Sequence, residues 1–418
     1  MKKTLLVIAV SLFLPLSAEL LTLESAIDKA LQNYPDIQAS SLKIESATLG
    51  SKSATSAYLP QINLNANYNL TQTYVFPVAG QFNTIDNSSW SVGVNLKQKI
   101  WDFKKTTLQI EATDIDKSIA KLSLEDSKAL LAYKVKSLYQ LIVLDSEAIK
   151  VHEKDILTKE AYYEQAKALV KEGLKTDADA SRFLSALYGA KDSLANSQTL
   201  YAKAKNSLSL YMGEAIIDKT TFEHTTFIDS NSELNNNIEK QLLEKNYQLK
   251  IAQKSIEKNH LLHKSMRASH FGSVDAIASY THLDTLNSYD SKLAGIVLNV
   301  PLYTGGKTSA EVEKAQVASN IALAVLLSKK LQLQEEIESL LLDLAHFYKT
   351  LEAKEAQLHS AQQTQNVLDA RYKEGLATYI EVLDASSVVL SAELALLETE
   401  YQISMVYKRV EYLEGKIK

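Results

Sequence analysis

The chain has 418 residues, with 12 Gly, 5 Pro, no Cys and a net charge of −5. The missing cysteines exclude disulfides, thiolate metal sites and a Cys nucleophile, and the absence of any basic block excludes the clustered Lys and Arg that nucleic-acid binding needs. So few breakers over this length predict long uninterrupted elements.

Met1 to Ala18 reads as a secretory signal peptide: Lys2 and Lys3, an apolar run from Leu5 to Leu16, then the small residues Ser17 and Ala18. No later apolar run is long enough for a transmembrane helix, so any spanning must use strands. The remainder repeats itself. Gly93-Val94-Asn95-Leu96 with Ile100-Trp101 matches Gly295-Ile296-Val297-Leu298 with Leu302-Tyr303. Lys171-Glu172-Gly173-Leu174 matches Lys373-Glu374-Gly375-Leu376, and Gly213 matches Gly415, all at one offset. The first repeat, 19–215, is expected to hold a helix at 22–57, strands at 62–75 and 88–101, a long helix at 104–172 and a helix at 176–212. A linker at 216–233 follows. The second repeat, 234–418, is expected to hold a helix at 234–268, strands at 273–283 and 292–302, a long helix at 307–374 and a helix at 377–415.

The strands alternate with period two. In INLNANYNL, Asn63, Asn65, Asn67 and Asn69 oppose Ile62, Leu64, Ala66, Tyr68 and Leu70. Further on, Trp90, Val92, Val94, Leu96 and Ile100 oppose Ser91, Gly93, Asn95 and Lys97. In the second repeat Ile296 and Leu298 oppose Gly295, Val297 and Asn299, and only Ile277 breaks the alternation of the third strand. Each strand suits the roughly 9–11 residues of a tilted transmembrane strand. The polar connections Phe76–Ser89 and Asp284–Ser291 are expected to be hairpin loops. Asn63, Asn65, Asn67, Asn69, Asn95 and Asn299 would then line a wet lumen. Tyr68, Val92, Val94, Leu96, Ile296 and Leu298 would meet lipid, with Trp90 in an aromatic girdle. Four strands cannot close a barrel and open edges cannot sit in lipid, so several chains must contribute.

The long helices carry heptad seams. Leu326, Leu333, Ile337, Leu340, Leu344, Phe347, Leu351 and Leu358 correspond to Leu124, Leu131, Val135, Leu138, Ile142, Asp145, Ile149 and Ile156, so Asp145 alone interrupts the first seam. At 1.5 Å per residue each helix would be roughly 100 Å long. Gly306-Lys307-Thr308 mimics a phosphate-binding loop, but Pro301 stands where that motif needs Gly, which leaves a tight strand-to-helix turn. His260 and His263 share a helical face without a third ligand. No catalytic triad or cofactor fingerprint is present, so neither metal, cofactor nor enzymatic activity is expected.

TLESAIDKALQNYPDIQAS (22–40), YLPQINLNANY (58–68), VPLYTGGKTSAEVEKA (300–315) and RYKEGLATYIEVLDAS (371–386) stand in order along the chain. With the duplication, they make it resemble the TolC-type outer-membrane efflux proteins over nearly all of its mature length. The resemblance implies an α+β membrane protein in which three chains complete a twelve-strand β-barrel in outer-membrane lipid and a periplasmic α-barrel of coiled-coil helices. It implies a homotrimer that receives cargo from an inner-membrane RND or ABC transporter through a periplasmic adaptor. It implies that Glu381 and Asp384 line a periplasmic gate, and that Tyr372 bonds to Asp179. Ala377 stands where the family has an arginine, so one latch is missing. Gly173, Leu174, Gly375 and Leu376 would be the tips that meet the adaptor. The rival reading, from another class, is a soluble periplasmic coiled-coil scaffold without a channel.

Overall fold

The structure is a computed structural model that describes residues 20–217, 220–223, 226–227 and 237–417. The signal peptide and most of the expected linker lie outside the described residues. The elements are β1 (Leu20–Leu21), α1 (Leu23–Asn33), α2 (Pro35–Thr55), β2 (Gln61–Val78), β3 (Gln81–Trp101), α3 (Lys105–Lys171) and α4 (Asp177–Met212). Then follow β4 (Thr221–Phe222), α5 (Ile238–Lys245), α6 (Tyr247–Ala268), β5 (Ser273–Asp284), β6 (Ser288–Asn299), α7 (Lys307–Lys373) and α8 (Tyr379–Leu413). The described residues form two compact units, one from those within 20–37, 127–242 and 334–417, the other from 38–126 and 243–333.

In the second unit, β2, β3, β5 and β6 form one antiparallel sheet in that order. β2 and β6 are its open edges. The expected loops are much shorter than their sequence suggested. β2 and β3 continue through Phe76–Ser89 and turn only at Ala79 and Gly80, both at positive φ (50° and 82°), the pattern of a type I′ turn. Ala-Gly is a weak signal for such a turn, and the β-prone residues Tyr74, Val75, Phe76 and Phe82 extend the ladder on both sides of it. β6 likewise begins at Ser288, inside the expected Asp284–Ser291 loop, and ends at Asn299, before Pro301 removes a ladder donor. The N-terminal helix of each repeat is two helices. Pro35 separates α1 from α2, and Asn246 caps α6 by accepting from Leu249 N–H at 3.2 Å.

The first unit is helical, with separate apolar clusters along its length, one of them around α1. Ala26, Ile27 and Ala30 of α1, Leu131, Val135, Tyr139 and Ile142 of α3, and Leu208 and Met212 of α4 are buried in it. Sequence reading missed the two-residue parallel pair of β1 and β4. The Tyr139 hydroxyl donates to Leu21 O at 2.8 Å and to Glu223 O at 3.0 Å, which fixes that pair on the core. Burial pushes this phenol up to about 12. Among the described residues no helix is long and apolar enough to cross a membrane.

Candidate functional site

Two places hold the predicted residues: the helical tips of the first unit and the sheet of the second. At the tips the two repeats close in the same way. Gly173 (φ 75°) and Gly375 (φ 74°) supply left-handed turns. Leu174 N–H donates to Leu169 O at 2.9 Å and Leu376 N–H to Arg371 O at 2.8 Å, so each long helix ends in a Schellman-type cap. Each following helix begins with a capping box. Thr176 N–H and Oγ1–H donate to Asp179 Oδ2 at 2.9 and 3.0 Å, and the Thr378 N–H and Oγ1–H donate to Glu381 Oε2 at 2.7 and 2.8 Å. These bonds, with Arg371 and Lys175 nearby, hold the Glu381 carboxyl below the usual glutamate range. The Thr-x-x-Asp and Thr-x-x-Glu signatures were present in the sequence and were not read there as caps. Leu174 and Leu376 are left exposed.

Glu381 and Asp384 both lie on the exposed face of α8, opposite the buried Val382, Ala385 and Val389. Tyr372 is brought under the tip instead. It is 1% exposed, packs edge-on against Phe183 at 5.5 Å between ring centroids, and its hydroxyl has no hydrogen-bond partner. Asp179 serves its own cap, so the two residues expected to bond do not do so within this chain. Burial, then the Asp179 charge, pushes the Tyr372 phenol up. Sequence reasoning missed Lys175. Its Nζ lies 5.5 Å from the centre of the Tyr372 ring and donates to Ala377 O at 3.2 Å. Lys175 and Ala377 are equivalent positions of the two repeats, and the shared offset could have drawn attention to the pair.

In the sheet, register sorts the residues into two faces. Asn65 pairs with Gly93, Gly93 with Thr281 and Thr281 with Ser291; Asn63 pairs with Asn95 and Asn95 with Ser279. Asn299, opposite Ser273, falls on that same polar face, and so do Ile277, Leu293 and Val297. The other face takes Ile62, Leu64, Tyr68, Trp90, Val92, Val94, Leu96, Ile296 and Leu298. Ile62, Leu64, Ile296 and Leu298 are each about two-thirds exposed, from 66% to 71%. Asn69 Nδ2 donates to Ser89 Oγ at 3.0 Å, and Trp90 Nε1 donates to Asp284 Oδ2 at 2.7 Å. Among the described residues no cluster of His, Asp or Glu is arranged to hold a metal ion.

A sheet with a polar and an apolar face, joined to paired long helices with capped tips, recurs in known proteins. The chain is 22% identical to the outer membrane efflux protein BepC of Brucella suis biovar 1 over 396 residues, 91% of this chain and 82% of that one. It is 23% identical to the outer membrane protein TolC of Vibrio cholerae over 410 residues, 92% of this chain and 90% of the other. Its fold superposes on the outer membrane protein VceC of Vibrio cholerae with a TM-score of 0.81 at 17% identity, covering 94% of this chain and 96% of that one. The outer membrane efflux protein family model matches residues 26–214 and 239–411, one segment in each repeat, and on that match the chain belongs to the outer membrane efflux protein family.

Proposed function

We propose that three copies of this chain form an exit duct through the outer membrane, fed by an inner-membrane RND or ABC pump through a periplasmic adaptor. The observation that carries this reading is a four-stranded sheet with no core on either face. Nearly all of β2 and all of β6 are exposed, with the amides of β2 on one side and Ile62, Leu64, Ile296 and Leu298 on the other. Water cannot favour Ile62, Leu64, Ile296 and Leu298 standing free, and lipid cannot accept the open edges of β2 and β6. Twelve strands from three chains satisfy both demands, with Asn63, Asn65, Asn67, Asn69, Asn95 and Asn299 toward the lumen. Trp90 and Tyr68 then face lipid near its boundary.

α7 supports the same assembly. Val317, Ile321, Leu331, Leu342 and Val367 fall on one stripe of that helix, and each is more than half exposed, from 54% to 72%. A neighbouring copy covers it in the proposed α-barrel. Glu381 and Asp384 become two acidic rings at the periplasmic end, which favour cations by their field. A latch between Tyr372 and Asp179 of adjacent hairpins needs a rearrangement at the tip, because the Tyr372 hydroxyl is buried without a partner and Asp179 caps α4. Gly173, Leu174, Gly375 and Leu376 form the adaptor-facing tips.

Extraction tests the duct. The protein should leave the outer membrane only with detergent and sediment as a trimer; release by salt or osmotic shock as a monomer would refute the reading. Conductance of Asp179→Ala equal to that of the unaltered channel would remove the latch. Undiminished adaptor capture by the Leu174→Asp, Leu376→Asp double variant would remove the tips.

A further inference from the structure

The β2–β3 hairpin outruns the rest of the sheet. β5 pairs with β3 only as far as Trp90–Asp284, and the β5–β6 turn follows at once. Gln72–Ser89 therefore continues as two strands paired only with each other, extending roughly 20 Å at 3.3 Å per residue. It ends in the tight Ala79-Gly80 turn rather than a loop. A two-stranded ribbon by itself is marginal in water. This one carries a single formal charge, Asp86, among Tyr74, Val75, Phe76, Val78, Phe82 and Ile85.

A bulge decides where those residues point. The register steps from Asn69–Ser89 to Gln72–Asn87, so β2 has one residue more than β3 across it. The extra residue exchanges the faces of β2 beyond it, while β3 keeps its own. Below the bulge the odd residues of β2 share the Asn face; above it the even ones do. Hydrogen bonds confirm the exchange: Ser89 Oγ–H donates to Gln72 Oε1 at 2.5 Å, and Tyr74 O–H donates to the same oxygen at 3.2 Å. The Asn face thus continues as Gln72, Tyr74, Phe76 and Val78 of β2 opposite Asn87, Ile85, Asn83 and Gln81 of β3, so large apolar side chains interleave with amides just where the sheet narrows to two strands. Tyr74 and Phe76 are already half-buried on that face, while Phe82 on the other is 80% exposed. Pro77 removes a backbone donor from the free ribbon, which works against covering it by strand addition and leaves packing on its face.

We propose that this face docks against the same face of the other two copies, so that three ribbons converge over the outer mouth and narrow it with a constriction of mixed apolar and amide side chains. The inference rests on the trimeric duct with the Asn face toward the lumen. The occupant is a second copy of this chain because the face continues the lumen wall, and near a three-fold axis only its symmetry mates can reach it.

The chain has no native cysteine, so Phe76→Cys and, on the paired strand of the same face, Ile85→Cys report docking directly. Phe82→Cys, on the opposite face, is the control. Detergent-extracted channels are oxidised with copper phenanthroline and run on non-reducing denaturing gels, with the trimer checked by sedimentation beforehand. The expected result is a shift of up to two-thirds of the Phe76→Cys and Ile85→Cys chains to a band of twice the monomer mass, since one thiol in each trimer has no mate, with the Phe82→Cys chains left at monomer mass. Intact trimers with no such band for either variant, or with equal cross-linking at Phe82→Cys, overturn the docking and leave the duct standing. Monomers throughout, in the unaltered protein too, overturn the duct and the docking with it.

Discussion

α3 and α7 are equivalent helices of the two repeats, each 67 residues long and each ending in the same Gly-Leu tip. Their seams behave alike: Leu131, Val135 and Ile142 are buried in α3, and so are Leu333, Ile337 and Leu344 in α7. Away from the seam they diverge. α3 encloses Lys136, Gln140, His152, Asp155 and Lys159, while α7 leaves Val317, Ile321, Leu331 and Leu342 exposed. α3 thus buries polar groups, and α7 presents apolar ones. Duplication kept the geometry of the seam, and the remaining faces followed what each helix touches. Burial makes the polar groups of α3 depend on pairing: Lys136 Nζ lies 2.6 Å from Glu411 Oε2, and Lys159 is paired with Asp155.

The sharpest way to break this contrast is to charge the open stripe. Leu331→Glu with Leu342→Glu should dissociate the proposed trimer, each desolvated carboxylate costing on the order of 4 kcal/mol in an interface, while circular dichroism of the monomer stays helical. Sedimentation in detergent reads the outcome; a trimer that survives would mean the stripe is not an interface. Ala129, equivalent to Leu331 but fully buried, should instead lose protomer stability on Ala129→Glu.

A smaller effect distinguishes Lys136 from its counterpart Glu338, which is exposed. Lys136→Ala strands Glu411 with only Lys408, 3.0 Å away, and should cost about 2 kcal/mol in denaturant unfolding. Glu338→Ala should stay within about 0.5 kcal/mol.

Asp145 stands where α7 has Phe347. Burial first, then the neighbouring Glu398 charge, pushes its carboxyl up to about 6. A raised carboxyl favours folding in its protonated form. Its destabilisation therefore grows as pH climbs from about 4 to about 6 and is constant above that. Asp145→Leu should gain about 1 kcal/mol at neutral pH, discounted for its partial exposure, and the gain should shrink on acidification through that window. A pH-independent difference in melting temperature would contradict it.

The smallest expected effect lies at the tips, where Lys175 meets its own repeat-equivalent, Ala377. Lys175→Ala removes a hydrogen bond and a cation–π contact worth roughly 0.5–1 kcal/mol, so single-channel conductance of the proposed duct should rise modestly. A conductance unchanged by Lys175→Ala would assign the closed state to other contacts.

Much of this was legible in the residues. Period-two alternation, heptad seams, the glycine stops and the shared offset are local patterns, set by the repeat of the backbone itself. Two features at the candidate sites were not. Asp179 and Glu381 close their own helix starts, a use that a list of acidic residues does not separate from a pore lining. The reversal of faces above Asn69 depends on one unpaired residue, and polar alternation looks the same on both sides of it.

The sequence by itself determined which segments are the long strands and which are the long helices, and that the chain is doubled. Only the tertiary structure decided which copy of the long helix is enclosed, where β2 and β3 turn, and which residues of their outer hairpin continue the Asn face. Those outcomes depend on pairing between segments far apart in the chain. Such pairing is fixed by packing and hydrogen bonding across the fold, not by the periodicity of any one segment.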